Sequence, residues 1–213
     1  RNCYPNTLET TAEGLPDGST FLYTGDIPAM WLRDSSAQVR HYLPLTKDDP
    51  EIRSLVASLV KRQALCIIND PYANAFNRTG EELTHWGLSD KTENNNPMAW
   101  ERKYEVDSLC YPVNLAYHFW KASGSADHLD ETFKKACETV LTTFETEQYH
   151  AEKSKYWFTR TNCPPTDTLK NDGKGTPVGY TGMTWSGFRP SDDACDYHYL
   201  IPSEMFASVI LGY

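Results

Sequence analysis

The chain has 213 residues, 20 Lys+Arg against 29 Asp+Glu for a formal net charge of -9, and 39% hydrophobic and 13% aromatic content. That is enough for one globular domain with a real core, while the acidic balance excludes a phosphate backbone as partner and so argues against nucleic acid. A mean hydropathy of -0.59 and the lack of an apolar run near about 18 residues exclude a membrane-spanning helix.

In chain order, Arg1-Asn2-Cys3-Tyr4-Pro5 lacks the apolar centre of a signal peptide, so a secreted protein would be seen here in processed form. Phe21-Leu22-Tyr23-Thr24 reads as a short strand, and Asp34 to Leu43 as a short helix capped by Asp34 or Ser35. The clearest helix follows Asp49-Pro50, where Ile52, Leu55, Val56, Leu59, Val60, Ala64, Ile67 and Ile68 recur at helical steps until Asp70-Pro71. A second helix runs from Asp107, a good N-cap, to Gly124, with Pro112 tolerable only near its first turn. A third spans Asp127 to Gln148 with Leu129, Phe133, Cys137, Val140, Leu141 and Phe144 on one face, so the two are expected to form a helical hairpin. Tyr156-Trp157-Phe158-Thr159 reads as a strand, and Pro202 to Leu211 as a last apolar helix. That helix is followed by no stop signal before Tyr213, and no repeat or internal domain boundary is visible. The expectation is the front part of a larger all-α protein.

The six cysteines, Cys3, Cys66, Cys110, Cys137, Cys163 and Cys195, form no CxxC pair, which excludes zinc ribbons and thioredoxin-like sites. Buried thiols and disulfides both stay open, and the sequon Asn77-Arg78-Thr79 tilts the expectation toward a secreted glycoprotein. His41, His85, His118, His128, His150 and His198 show no metal-ligand spacing, and GxSxG, P-loop, HExxH and GxGxxG motifs are absent. Neither a catalytic metal nor a cofactor is expected.

Three islands set carboxylates among Arg, Trp, Pro and Tyr. In Gly25-Asp26-Ile27-Pro28-Ala29-Met30-Trp31-Leu32-Arg33-Asp34-Ser35-Ser36, Arg33 offers a planar fork and Asp34 two acceptors, a combination suited to vicinal sugar hydroxyls; a structural pair with Asp34 capping is equally open. In the second, Trp100 to Pro112, Glu105 and Asp107 share a face in an extended approach, one to bind ligand and the other to cap; a charged loop with an N-cap and no ligand is the more common arrangement and stays open. In the third, Trp185 to Tyr199, Asp192 and Asp193 are adjacent, with Asp196 and Arg189 near, and crowding of like charges suits one of the pair to donate a proton near neutral pH. Aromatic rings for sugar faces and charged groups for hydroxyls describe a carbohydrate site.

The blocks Gly25 to Ser35, Lys103 to Pro112, Gly182 to Ser186 and Phe188 to Asp193 resemble those of glycoside hydrolase family 125. So does Tyr199 to Ala207, although the family usually carries Asn where Glu204 stands. The resemblance implies an all-α (α/α)6 barrel and an exo-acting, inverting, metal-independent α-1,6-mannosidase that takes terminal mannose from glycans or mannans. It implies a general acid in the Ser191-Asp192-Asp193 block, Asp193 before Asp192, and mannose binding by Arg33, Asp34, Asp107 and more weakly Arg189. Six helical hairpins need roughly 400 residues at ordinary helix and loop lengths, so this chain is expected to supply about the first half of the barrel; the resemblance implies that the general base lies in the other half, expected on a second chain. Another (α/α)6 glycosidase and a carbohydrate-binding fragment without turnover are the alternatives.

Overall fold

The computed structural model describes residues 4–81 and 89–213; Cys3 and His85 lie outside them. Helix α1 (Tyr4–Thr11) leads into a hairpin of β1 (Ala12–Gly14) and β2 (Thr20–Leu22). Next come β3 (Met30–Trp31), α2 (Leu32–Arg40), α3 (Pro50–Asn69), β4 (Ala75–Phe76), β5 (Asp90–Thr92) and β6 (Ala99–Glu101). The rest is α4 (Val106–Ser123), α5 (Glu131–Glu147), the short α6 (His150–Lys153), β7 (Phe158–Arg160) and α7 (Ile201–Ile210).

The long helices form for the local reasons legible in the chain. Asp49 caps α3 by accepting from Glu51 N (2.9 Å) and Ile52 N (3.1 Å), with Pro50 at its first position. Asp130 caps α5 through Phe133 N (2.9 Å), and Gly124 ends α4 in the left-handed region at φ 74. Val56, Leu59, Val60 and Ile67 of α3 are buried, each contributing roughly 1.5–3 kcal/mol as it leaves water. Pro112 sits in the second turn of α4, deeper than expected, where it has no N–H to offer the Ser108 carbonyl.

The expected hairpin of the second and third long helices is not how these helices pack. α5 lies chiefly along α3, and α4 lies along α2 and α7, so the helices form two rows with α3 meeting α4 between them. The apolar stripe of α5, with Ala136, Val140 and Phe144 buried, is served by α3 rather than by its neighbour in sequence. The core runs through both rows to Trp185, which is fully buried and stacks on His150 at 3.8 Å and His198 at 4.6 Å. The outward face of α7 stays apolar and open: Ile201 is 54% exposed, Met205 66% and Val209 52%.

Among the described residues no helix is long and apolar enough to cross a membrane. Cys66, Cys110, Cys137, Cys163 and Cys195 are free thiols; Cys66, Cys110 and Cys195 are buried, as the first reading has it, while Cys137 and Cys163 are only half-buried. Asn77 is 1% exposed and its side-chain nitrogen donates to the Pro97 carbonyl (2.8 Å), so the folded chain hides the glycan acceptor that the sequon suggested.

Candidate functional site

A small antiparallel sheet, ordered β3-β4-β6, lies under the site and is backed by a cluster of Ala29, Trp31, Ala75 and Trp100. Each strand releases a charged or polar residue at the same end. β3 passes directly into α2, bringing Arg33 and Asp34 into its first turn; β4 follows Asn74; β6 ends at Glu101 and leads through Lys103 and Glu105 into α4.

Neither helix start is capped as the sequence suggests. The N-cap of α2 is Trp31 and that of α4 is Glu105, and neither side chain makes a capping bond. Distant groups take their place: Leu32 N donates to the Asn74 carbonyl (3.0 Å), and Val106 N to Ser186 Oγ (3.2 Å). Asp34 and Asp107, expected as caps, instead stand inside the first turns, where the helix dipoles favour negative charge, and their carboxylates turn to Arg33.

Arg33 is the centre. Its Nη1 donates to Glu105 Oε2 (2.6 Å) and reaches Asp107 Oδ2 (3.4 Å), Nε lies 3.5 Å from Asp34 Oδ2, and Nη2 lies 3.6 Å from Asp192 Oδ1. Burial works against the guanidinium charge, but attraction to Glu105, Asp107, Asp34 and Asp192 outweighs it and raises its pKa. Glu105 is 1% exposed, and burial pushes its carboxyl pKa well up, against the pull of Arg33. Asp107 moves the same way for the same first cause. Asp34 Oδ2, Glu105 Oε1 and Asp107 Oδ1 are buried acceptors with no hydrogen-bond donor. A ligand rich in hydroxyl groups would satisfy them.

The turn from Arg189 to Asp193 closes the cluster. Asp192 N donates to the Arg189 carbonyl (2.8 Å) and Arg189 N to the Asp193 carbonyl (2.8 Å), while Asp192 adopts φ 64. This aims the Asp192 carboxylate at Arg33 and at Asn74 Nδ2 (3.5 Å). The Asp193 carboxylate accepts from Ser191 Oγ (2.8 Å) and stands beside the cluster. Arg189 is exposed and serves the turn through its backbone rather than joining Arg33. Glu204 of α7, where the resembling block departs, accepts from Thr184 N (3.3 Å).

Arg33, Asp34, Asp107 and Asp192 therefore come together, although they are scattered over most of the chain. Glu105 was visible in its block as one of two carboxylates flanking Val106, and it proves the nearest partner of Arg33. Asn74 carried no sequence signal, yet its side chain donates to Glu101 Oε2 (2.8 Å) and accepts from Lys103 N (3.2 Å). Among the described residues no group of three or more His, Cys, Asp or Glu is placed to hold a metal ion; in the acidic cluster the cation is Arg33.

A family profile described as metal-independent alpha-mannosidase (GH125) matches residues 1–213. The meiotically up-regulated gene 157 protein of Schizosaccharomyces pombe is 32% identical over 230 residues, which cover 100% of this chain and 45% of that protein. A solved Streptococcus pneumoniae structure, described as a metal-independent alpha mannosidase in a non-productive complex with alpha-1,6-mannobiose, superposes with a TM-score of 0.96 at 53% identity. It covers 100% of this chain and 49% of its own, so the chain spans about half the length of these relatives.

Proposed function

The chain belongs to the metal-independent α-mannosidases of family GH125, and on that premise we propose that the protein removes terminal α-1,6-linked mannose by inverting hydrolysis. The observation that carries the substrate class is the set of buried, donorless carboxylate oxygens around Arg33. A terminal mannose supplies hydroxyl donors to Asp34, Glu105 and Asp107, and Arg33 donates back to the ring's oxygens. The bound alpha-1,6-mannobiose of the Streptococcus pneumoniae relative supports the linkage.

In this mechanism the Asp193 carboxyl gives its proton to the glycosidic oxygen as the bond to C1 breaks, and Asp192, engaged with Arg33 and Asn74, orients the sugar. A water attacks C1 from the opposite face, deprotonated by a second carboxylate about 6.5–9.5 Å from the first. We place that base in the part of the relatives' length that this chain does not match, in the second half of an (α/α)6 barrel. The two rows of helices and the open apolar face of α7 support that architecture. The base reaches the site from the same polypeptide or from a second chain; intact mass of the active preparation separates the two.

Proton NMR of an α-1,6-mannobiose digest tests the proposal. β-Mannose appearing first, at a rate unchanged by chelator, is expected; α-mannose appearing first, or no hydrolysis by the full-length protein, would overturn it.

A further inference from the structure

Lys103 lies beneath the Asp192–Asp193 turn and is 2% exposed. Its ammonium donates to the backbone carbonyl of Asp192 (2.8 Å), pairs with Asp167, lies 3.7 Å from Glu101 Oε1 and sits 5.3 Å from the centre of the Phe188 ring. A lysine almost never gives up water this completely without a task for its charge. Part of that task is charge balance, since Arg160 is one cation among Glu101 (2.8 Å), Asp167 (3.1 Å) and Asp90 (2.6 Å); the other part is the Asp192 carbonyl, which the ammonium also holds.

The turn needs holding. Asp192 occupies the left-handed region at φ 64, which Asp enters more readily than most residues with a Cβ but which is still not its preferred conformation. Its carbonyl, fixed by the lysine from below, sets the direction of the peptide that joins Asp192 to Asp193. A rotation of that peptide would swing one carboxylate off Arg33 and move the other relative to the bond it must protonate.

We infer that Lys103 is a positioning residue: its buried ammonium, through the Asp192 carbonyl, locks the turn that carries the proton donor. This rests on the reading of the Asp192–Asp193 pair as the source of the leaving group's proton. Lys103 touches neither substrate nor reacting atom, so its loss acts through the turn: the proton-transfer step suffers only where the leaving group needs a proton, while any weakening of mannose binding through Asp192 is common to all mannosides.

The test compares Lys103→Met with wild type, both full-length, on two substrates. α-1,6-Mannobiose has a sugar leaving group that needs a proton; 2,4-dinitrophenyl α-mannoside has one that departs without it. With Lys103→Met, kcat on mannobiose should fall about 30-fold or more while kcat on the dinitrophenyl substrate changes less than about 3-fold, and any rise in KM should be of the same size for both, since both place a mannose beside Asp192. Equal loss on both substrates would overturn the proposal, since a structural defect does not distinguish leaving groups. If Lys103→Met melts below assay temperature, Lys103→Met/Asp167→Asn, which keeps the net charge of the buried network, carries the same comparison with the same two outcomes. Wild-type protein that cleaves neither mannoside would overturn the reading beneath the proposal, and the Lys103 role with it.

Discussion

Replacing Arg33 by Met strips the cation from four carboxylates at once. The shortest contact, 2.6 Å to a Glu105 side chain with no exposed surface, corresponds to about 6 kcal/mol of gross attraction at an effective dielectric constant of about 20. Desolvation of the guanidinium offsets part of this, and removing one partner of a buried pair leaves a net loss of about 3–5 kcal/mol. The loss should depend on pH in a defined direction. Burial already raises the carboxyl pKa values of Glu105 and Asp107, and Arg33 opposes that rise. Without Arg33 both rise further above their unfolded values, so the folded variant binds protons more tightly than the unfolded chain does. Stability from such groups is present at low pH and lost as pH climbs through the folded pKa. The variant therefore recovers on acidification more than wild type, by about 1.4 kcal/mol for each tenfold gain in the folded carboxyls' proton affinity. Urea unfolding followed by circular dichroism at pH 7 and pH 5 measures both effects. A deficit below about 1 kcal/mol at pH 7, or one of equal size at both pH values, would refute the account of Arg33 as counter-ion to buried acids.

Asp193→Asn should lower mannobiose turnover by roughly 10²–10⁴-fold while calorimetric mannose affinity stays near wild type, whereas Asp192→Asn should weaken binding; the reverse pattern would exchange their roles. Gly175→Ala should cost about 2–4 kcal/mol in chemical denaturation, because Gly175 has φ 75 and an added Cβ would run into His198 Nε2, which accepts from Thr176 N, and crowd Trp185. A loss under about 0.5 kcal/mol would show that this loop yields. Burial pushes the Cys66 and Cys195 thiols up to about 12, so both should resist a thiol reagent at pH 8 until the protein unfolds; rapid labelling of the native protein, mapped by peptide mass, would contradict that burial.

The elements that can be read from the chain are those whose causes are local. Helices α3, α5 and α7 follow from apolar spacing and from Asp49-Pro50 and Pro202 at the starts of α3 and α7, although α5 begins at Glu131 rather than at the expected Asp127, because Asp130 is the residue that caps it. α2 and α4 are visible as helices, but their starts are not, because the groups that satisfy them, the Asn74 carbonyl and Ser186 Oγ, are 42 residues away from Leu32 and 80 from Val106. The packing partner of α5 differs from the expected one for the same kind of reason: amphipathicity shows which face is buried and is silent about what buries it.

The same division runs through the site. Arg33, Asp34, Asp107, Asp192 and Asp193 stand out in the sequence because charged groups set among aromatic and Pro residues are costly without a function to retain them, and the long blocks around them resemble one family. Only the tertiary structure decided that Asp34 and Asp107 face Arg33 rather than cap helices, that Glu105 is the nearest of its partners, that Arg189 serves through its backbone, and that Lys103 and Asn74 hold the site from below. Residue type and spacing set what chemistry a side chain can perform, since that is a property of the group and its neighbours in sequence. Which charges meet is settled by contacts of about 3 Å between residues 72 to 159 positions apart, and those distances exist only once the helices and the small sheet have packed.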